Sequence, residues 1–338
     1  MNRPHGLFAL PSANFNLIYG EALCREIQSM VDIAPHAYDP QVLEKNPALL
    51  APVEVLFSGW GGPRIDEAFL AAAPRLKVVF YGAGSLQGIA TTAAWKTGIR
   101  FTSAYAANGQ PVAEFTLAAI IFGLKQVWPL AMSIKRTGAY PSSTTMPGCY
   151  GTTVGIISMG VIARQLCRLL DGFDMRRIVY DPFLSPAEAA ELGVQQVSLP
   201  ELFSQSDVVT LHTPWLPETE KMITREHLAA MKPGSTFINT ARGAVVDEAD
   251  LLAVATDRPD IQFFLDVTHP EPPVAGSPLY TLPNVILTPH IAGSMDGECR
   301  RMGRYMVDEL RRWIAGQSLQ WEITAKNAAH SSHRPPAA

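Results

Sequence analysis

The most informative stretch of this chain is TVGIISMGVIARQLCRLL, residues 153–170. Small and β-branched residues up to Ile157 are typical of a buried strand, and the apolar residues from Val161 onward recur at helical spacing. Between the two lies Ser158-Met159-Gly160-Val161-Ile162-Ala163, the frame G-x-G-x-x-G/A with serine in the first position. Gly160 would let the backbone approach a pyrophosphate, and Ala163 would let the helix pack closely on the strand. The stretch therefore predicts the strand, turn and helix of a dinucleotide-binding domain.

An acidic residue follows at the spacing that this frame requires. Asp181 lies 21 residues after Gly160, directly after a predicted strand at 178–180, where it would bind the adenosine ribose hydroxyls. The next residues, Pro182, Phe183 and Leu184, offer no positive charge to a 2′-phosphate. These features predict NAD(H) rather than NADP(H) as the cofactor. The alternative is an ordinary glycine turn in an α/β domain, which the serine at position 158 favours.

Length and composition limit the classes of protein. The chain has 338 residues, enough for about two domains. Its 17% of charged and 47% of hydrophobic residues, with a net charge of −4, are typical of a globular protein and argue against a nucleic-acid partner. The longest strongly apolar run, 115–124, is shorter than the roughly 18 residues of a membrane span, so no membrane partner is expected. Four separated cysteines without a CxxC pair indicate reduced thiols in a cytoplasmic protein and no metal site.

Strand and helix patterns alternate along the chain, which predicts βαβ units and a parallel sheet. Residues 111–128 are apolar on nearly all sides, and they predict a helix with Pro111 in its first turn, buried between domains or between subunits. Residues 136–150 are predicted to be a linker and residues 326–338 to be disordered. The predicted strands are 53–58, 76–81, 99–103, 153–157, 178–180, 208–211, 236–239, 263–265 and 285–288. The predicted helices are 65–73, 111–128, 161–170, 188–192, 226–231, 248–255 and 297–315.

Ionisable residues follow three of the predicted strands, and open α/β sheets bind ligands beyond the carboxyl ends of their strands. Arg242 could bind a carboxylate through two parallel hydrogen bonds, and a surface ion pair is the alternative. His290, between Pro289 and a glycine turn, is a candidate general acid and base, and a capping or core histidine is the alternative. Glu271 would orient that ring and favour its protonated form, unless it is a solvated loop acid.

Together, these motifs resemble those of the D-isomer-specific 2-hydroxyacid dehydrogenase family, which includes phosphoglycerate dehydrogenases and glyoxylate/hydroxypyruvate reductases. The similarity covers residues 50–320. Besides the nucleotide frame, it rests on Asn108 with Val112-Ala113-Glu114, Leu211-His212-Thr213-Pro214, Ile238-Asn239-Thr240-Ala241-Arg242-Gly243, Leu265-Asp266-Val267, Glu271-Pro272 and Thr288-Pro289-His290-Ile291-Ala292-Gly293.

The resemblance implies an α/β fold of two Rossmann-like, doubly wound parallel-sheet domains with a cleft between them. Residues 1–112 and 294–325 would form a discontinuous substrate-binding domain, and residues 113–293 the NAD-binding domain. A homodimer would form through the helix region 111–128. The implied reaction is NAD-dependent hydride transfer between the nicotinamide and C2 of a 2-hydroxy or 2-keto acid. A formate- or phosphite-type dehydrogenase of the same fold and an NAD-sensing, non-catalytic corepressor-like protein are the alternatives.

The resemblance also implies a role for individual residues. The catalytic residues would be Arg242, Glu271 and His290. The cofactor-binding residues would be Ser158, Met159, Gly160, Val161, Ile162, Asp181, His212, Thr213, Pro214, Thr219, Thr240, Ala241, Arg242, Asp266, His290, Ala292 and Gly293. The substrate-binding residues would be Gly82, Ala83, Gly84, Ser85, Asn108, Arg242 and His290. The chain departs from the family pattern at Ser158, and also at Thr268 and His269, which bear on the wall near Glu271.

Overall fold

The structure is a computed structural model that describes residues 3–141 and 148–328. Its strands are β1 (Gly6–Ala9), β2 (Ala37–Tyr38), β3 (Val55–Ser58), β4 (Val78–Tyr81), β5 (Arg100–Ser103), β6 (Thr152–Ile157), β7 (Met175–Tyr180), β8 (Gln195–Gln196), β9 (Val208–Leu211), β10 (Thr236–Asn239), β11 (Gln262–Leu265), β12 (Val285–Leu287) and β13 (Glu322–Ile323). Its α-helices are α1 (Ser12–Ile18), α2 (Gly20–Met30), α3 (Pro40–Lys45), α4 (Glu67–Ala72), α5 (Thr92–Trp95), α6 (Tyr105–Leu124), α7 (Val127–Thr137), α8 (Val161–Leu170), α9 (Pro186–Glu191), α10 (Leu199–Gln205), α11 (Arg225–Ala229), α12 (Glu248–Asp257), α13 (Cys299–Ile314) and α14 (Ala325–Ala328).

The chain divides into two compact units. One contains the residues up to Gly109 and those from Ser294 onward, and the other is Gln110–Gly293. The described residues form one sheet of six strands and one of seven. Within them every strand pair is parallel except β13 with β5, so the predicted α/β class with parallel sheets is confirmed.

In the first unit the strand order is β13-β5-β4-β3-β1-β2. Successive side chains of a strand face opposite sides of the sheet. Phe8, Phe57 and Phe80 therefore share one face, with ring centroids 5.3 and 5.2 Å apart, and they pack with residues of α1, α2 and α13. Leu56 and Val79 pack in the separate core on the opposite face. Helices bury both faces, which is why these strands are almost wholly apolar.

In the second unit the strand order is β12-β11-β10-β9-β6-β7-β8. The chain runs outward from β6 through β7 and β8, and then returns to β9 on the other side of β6. The connections above β6 and β9 consequently leave in opposite directions, which opens a crevice at the carboxyl ends of these strands. Ser158 follows β6 and His212 follows β9, so both lie at this crevice.

The prediction of a helix at 111–128 is wrong at both ends. Helix α6 begins at Tyr105 and contains Pro111 in its interior, where burial of the surrounding turns offsets the hydrogen bond that proline cannot make. It ends at Leu124, because Gln126 adopts a left-handed φ of 49°, and α7 continues after a bend of 55°. Burial is also incomplete, since Glu114, Ala118 and Phe122 lie exposed along one side.

Several other boundaries differ from the prediction. The structure has β1, β2 and α1–α3 before residue 53, where no element is predicted. Helix α9 begins at Pro186 rather than 188, because Ser185 and Glu188 form a capping box at its start. Helix α7 extends into the predicted linker at 136–150, of which residues 142–147 lie outside the described part. Residues 326–328 of the predicted disordered tail belong to α14, and the rest of that tail also lies outside the described residues.

Among the described residues, no single helix combines the length and apolar character needed to cross a bilayer. Helices α6 and α7 satisfy those requirements only when they are counted together, across their bend.

Candidate active site

The dinucleotide turn joins β6 to α8. Ser158 has a left-handed φ of 70°, and its N–H donates to the Tyr180 carbonyl at 2.8 Å. Gly160 is the N-cap of α8 and makes no side-chain cap, so the first amides of the helix are available to an anion. A Cβ at Gly160 would meet no atom within 4 Å. The turn thus has an open approach to uncapped amides, which fits a pyrophosphate.

Asp181 lies at the carboxyl end of β7, beside the same turn. Its Oδ2 accepts a hydrogen bond from the Met159 N–H at 2.6 Å, and its Oδ1 accepts one from the Phe183 N–H at 2.7 Å. These two bonds fix the carboxylate in one orientation. Each oxygen retains a second lone pair, so both can still accept hydrogen bonds from ribose hydroxyls.

The segment after β9 lies next to the turn. His212 is largely buried, and its Nε2 is 3.1 Å from the Thr210 hydroxyl. Its Nδ1 has no hydrogen-bond partner among the described residues, and burial lowers the pKa of the ring to about 4, so His212 is neutral near pH 7. The Thr213 hydroxyl is 2.8 Å from that of Ser158. Thr219 closes the loop, because its hydroxyl donates to the Pro214 carbonyl at 2.6 Å.

Arg242 stands on a turn that the last residue of β10 holds in place. The Asn239 amide nitrogen donates to the Arg242 carbonyl at 3.0 Å, and its amide oxygen accepts from the Ala241 N–H at 3.0 Å. The buried Thr240 hydroxyl shares a hydrogen bond with Thr116 of α6. Asn239 is a positioning residue that stands in the sequence motif but is absent from the predicted site. The sequence feature that could have identified Asn239 is an amide residue at the end of a buried strand, just before the turn that carries the arginine.

Asp266, directly after β11, organises the segment that carries the histidine. Its carboxylate is buried and accepts from the Thr288 hydroxyl at 2.6 Å and from the Ile291 and Ala292 amides at 2.9 Å. Ala292 is one of the predicted cofactor residues, and Gly293 follows it at the end of the second unit. Thr288 is absent from the predicted site, although it stands in the same motif.

His290 and Glu271 form a direct pair. The His290 Nδ1 lies 2.6 Å from the Glu271 Oε1, and their side chains are 48% and 42% exposed. The histidine has a left-handed φ of 54°, and its N–H donates to the carbonyls of Asp266 and Thr288, each at 3.0 Å. Because Nδ1 faces the carboxylate, Nε2 is the ring nitrogen available to exchange a proton with a ligand.

The segment just before Glu271 lies against an aromatic ring, although Thr268 and His269 depart from the family pattern. The His269 ring meets the Trp215 ring edge to face, with centroids 5.1 Å apart. The His269 N–H donates to Glu248 at 3.4 Å, and burial raises the pKa of that glutamate. The aromatic group therefore comes from the loop after Pro214 rather than from position 268.

In the first unit the predicted substrate residues gather at the carboxyl end of β4. The Gly82 N–H donates to the Ser58 carbonyl at 2.9 Å, whereas the amides of 83–85 have no acceptor among the described residues. The carbonyls of 83 and 84 accept from the Ser103 hydroxyl. The Asn108 amide oxygen accepts from the Ser294 N–H at 3.0 Å, which leaves its nitrogen near residue 84. A loop with available amides beside an amide nitrogen suits a carboxylate.

Comparison with known proteins places this arrangement in a family. Residues 117–292 match the family described as "D-isomer specific 2-hydroxyacid dehydrogenase, NAD binding domain". The chain therefore belongs to the D-isomer specific 2-hydroxyacid dehydrogenase family and is an NAD-binding oxidoreductase of that family. The predicted family, enzyme class and cofactor are confirmed, while the individual site residues stay predictions.

Curated relatives and solved structures agree with this assignment. The chain is 34% identical over 253 residues to D-3-phosphoglycerate dehydrogenase from Mycobacterium tuberculosis, covering 75% of this chain and 48% of that protein. It thus spans about half the length of that enzyme. It is 36% identical over 251 residues to (S)-sulfolactate dehydrogenase from Chromohalobacter salexigens, covering 74% of this chain and 81% of that protein. A protein of known structure from Thermus thermophilus is 28% identical with a TM-score of 0.74, covering 95% of this chain and 100% of that chain. The apo form of D-mandelate dehydrogenase from Rhodotorula graminis shares the fold, with a TM-score of 0.78 at 21% identity over 95% of this chain and 98% of that chain.

Proposed function

We propose that this enzyme interconverts a 2-hydroxy acid and the corresponding 2-keto acid, with His290 as the general acid and base. The observation that carries the proposal is the 2.6 Å contact between the His290 Nδ1 and Glu271. It fixes the ring so that Nε2 can exchange a proton with the substrate oxygen. The bound nicotinamide would supply the hydride chemistry.

Arg242 is proposed to bind the substrate carboxylate and to polarise the keto oxygen. A guanidinium matches a carboxylate in planar, bidentate geometry, and the Asn239 clamp on its turn supports a fixed position. Within the first unit, the available amides of 83–85 and the nitrogen of Asn108 are proposed as hydrogen-bond donors to a carboxylate. In the reducing direction, protonated His290 then delivers its Nε2 proton to the substrate oxygen, while Glu271 stabilises the charged ring.

The cofactor is proposed to lie with its pyrophosphate on the turn of Ser158 and Gly160. Asp181 would accept hydrogen bonds from the adenosine ribose hydroxyls and would repel a 2′-phosphate, which supports NAD(H) over NADP(H). Asp266, through its bonds to Ile291 and Ala292, would hold the segment beside the nicotinamide.

Replacing the histidine tests the proposed reaction. His290→Gln should lower kcat for NADH-dependent reduction of a 2-keto acid by about 100-fold or more, because proton transfer from a positioned group contributes that much. The affinity for NADH, measured by fluorescence titration, should stay within about 3-fold of wild type, since the dinucleotide turn is untouched.

His5→Gln is the matched control, because His5 forms a similar pair with Asp32 at 2.9 Å and the two side chains are 50% and 65% exposed. A His290→Gln enzyme with wild-type kcat would rule out the proposed role.

The identity of the acid is tested with a panel of substrates. D-lactate, glyoxylate, 3-phosphoglycerate, sulfolactate and mandelate, together with formate and phosphite, would be compared by the kcat/KM for NADH production or consumption. A 2-hydroxy or 2-keto acid should be preferred. Turnover of formate or phosphite alone would contradict the proposed substrate class and favour the alternative within the same fold.

A second copy of the chain is proposed to cover the exposed side of α6. Ala118 and Phe122 are exposed there, and no residue of the neighbouring α7 is buried although it carries Trp128, Leu130 and Met132. Apolar surfaces of this extent on two adjacent helices are typical of subunit interfaces. The proposed assembly is a homodimer formed through these helices.

A further inference from the structure

The first position of the dinucleotide turn is a strained serine. Ser158 has a φ of 70°, a conformation that glycine adopts readily and that other residues adopt uncommonly. Glycine is also the usual residue at this position of the frame. A side chain that remains in spite of this strain needs a compensating interaction.

The compensating interaction is a hydrogen bond between two hydroxyl groups. The Ser158 Oγ lies 2.8 Å from the Oγ1 of Thr213, which is buried with 3% of its surface exposed. The Ser158 N–H meanwhile donates to the Tyr180 carbonyl at the end of β7. The turn after β6 is therefore tied to the ends of both neighbouring strands, β7 through the backbone and β9 through the side chain. A glycine would make only the first of these ties.

The same pair also provides a donor. Two hydroxyls contain two hydrogens, and one hydrogen bond between them uses only one. The second hydroxyl hydrogen can be donated to a ligand, at a turn whose uncapped helix amides suit an anion. A phosphate oxygen accepts such a bond strongly, because one partner is charged.

We propose that the Ser158–Thr213 hydroxyl pair is a clasp that holds the dinucleotide turn in its binding conformation and donates one hydrogen bond to the pyrophosphate of the cofactor. The inference rests on the cofactor placement in the proposed function, but not on the proposed reaction. Ser158 departs from the family frame, and the proposal gives it a positioning and binding role. The serine then supports cofactor affinity instead of lowering it.

The test measures binding without catalysis. NADH and ADP-ribose would be titrated by fluorescence and calorimetry against Ser158→Ala, Thr213→Val and the double variant. Each single variant should raise the Kd for both ligands about 10-fold, as expected for loss of a hydrogen bond to a charged group. The double variant should be no worse than about 10-fold, because both changes remove the same clasp. Adenosine, which has no pyrophosphate, should bind all variants with unchanged affinity.

Ser158→Gly separates the clasp from the strain. Glycine relieves the left-handed strain, so the Tm of this variant should be equal to or above that of wild type, while its Kd for NADH rises about 10-fold. If the serine were merely structural, stability and NADH affinity would fall together, so Tm would fall as the Kd rises. Gly172→Ala is the control, since a Cβ there meets nothing within 4 Å.

Wild-type Kd values for NADH in Ser158→Gly and Thr213→Val would overturn the clasp, as would additive effects in the double variant. Tight NADH binding by wild type without turnover of any 2-keto acid would contradict the proposed reaction instead, and would leave the clasp standing.

Discussion

A single methyl group on Gly243 tests whether the loops that carry Arg242 and Glu271 must touch. The ideal Cβ of an alanine at this position would lie 2.0 Å from the Thr268 carbonyl carbon, 2.2 Å from its oxygen and 2.6 Å from the His269 nitrogen. Real Cβ atoms essentially never approach other atoms within 3.0 Å. All three neighbours are backbone atoms, so no side-chain rotation can relieve the contact.

The size of the effect follows from this geometry. The 268–271 segment must retreat by about 1 Å or more, and a misplacement of that size lowers the rate of a positioned reaction by about 100-fold. Overpacking of this kind also lowers the free energy of unfolding by about 1–3 kcal/mol. Gly243→Ala should therefore reduce kcat/KM strongly and stability moderately. The NADH affinity should change much less, because the Ser158 turn lies on another strand end.

The assay is steady-state oxidation of NADH with the best 2-keto acid of the panel, combined with urea unfolding and NADH titration. Gly172→Ala serves as the matched glycine control, because its added Cβ meets nothing within 4 Å and its φ is not left-handed. Wild-type kcat/KM and wild-type stability in Gly243→Ala would refute the requirement for direct contact between the two loops.

Three further predictions test other parts of the site. Burial lowers the pKa of His212 to about 4, so between that value and the unfolded pKa of about 6.5 only the unfolded state takes up the proton. Lowering the pH from 7.5 to 5 should therefore reduce the unfolding free energy of wild type by up to about 2 kcal/mol more than that of His212→Gln. Equal losses for the two proteins in urea titrations would contradict this. Asp266→Asn removes the oxygen that accepts a hydrogen bond from the Ala292 N–H, so the free energy of unfolding should fall by about 1–3 kcal/mol in thermal unfolding. A wild-type Tm in this variant would contradict the importance of that bond. If the proposed homodimer forms through α6, Phe122→Glu should make the protein monomeric in size-exclusion chromatography with light scattering, whereas Phe173→Glu should leave it dimeric. A dimer in both variants would exclude the α6 interface.

The second unit was largely predictable from local pattern. Strands β9 and β10 and helix α8 lie at the predicted residues, because buried parallel strands are continuous apolar runs bounded by turn residues. The spacing from Gly160 to Asp181 is set by one helix and one strand, so it can be recognised without any knowledge of distant contacts.

The first unit and the long helix were less predictable. The two-residue strand β13 exists only because it pairs with β5, about 220 residues earlier, through Glu322 opposite Thr102 and a bidentate ion pair with Arg100. Pro111 suggested a helix start, but the surrounding burial keeps it inside α6. Such elements depend on tertiary context, which outweighs local preference.

Local sequence was enough to predict the α/β class and the dinucleotide turn, because both depend on residues that are neighbours within strand–turn–helix units. The candidate catalytic residues followed from motifs that resemble those of the family. The folded chain was needed to see that His290 meets Glu271 at 2.6 Å, that Ser158 is hydrogen-bonded to Thr213, and that Gly243 leaves no room for a Cβ. These contacts join strand ends that are far apart along the chain. The order of the strands in the sheet brings them together, and that order is set by the packing of the whole unit.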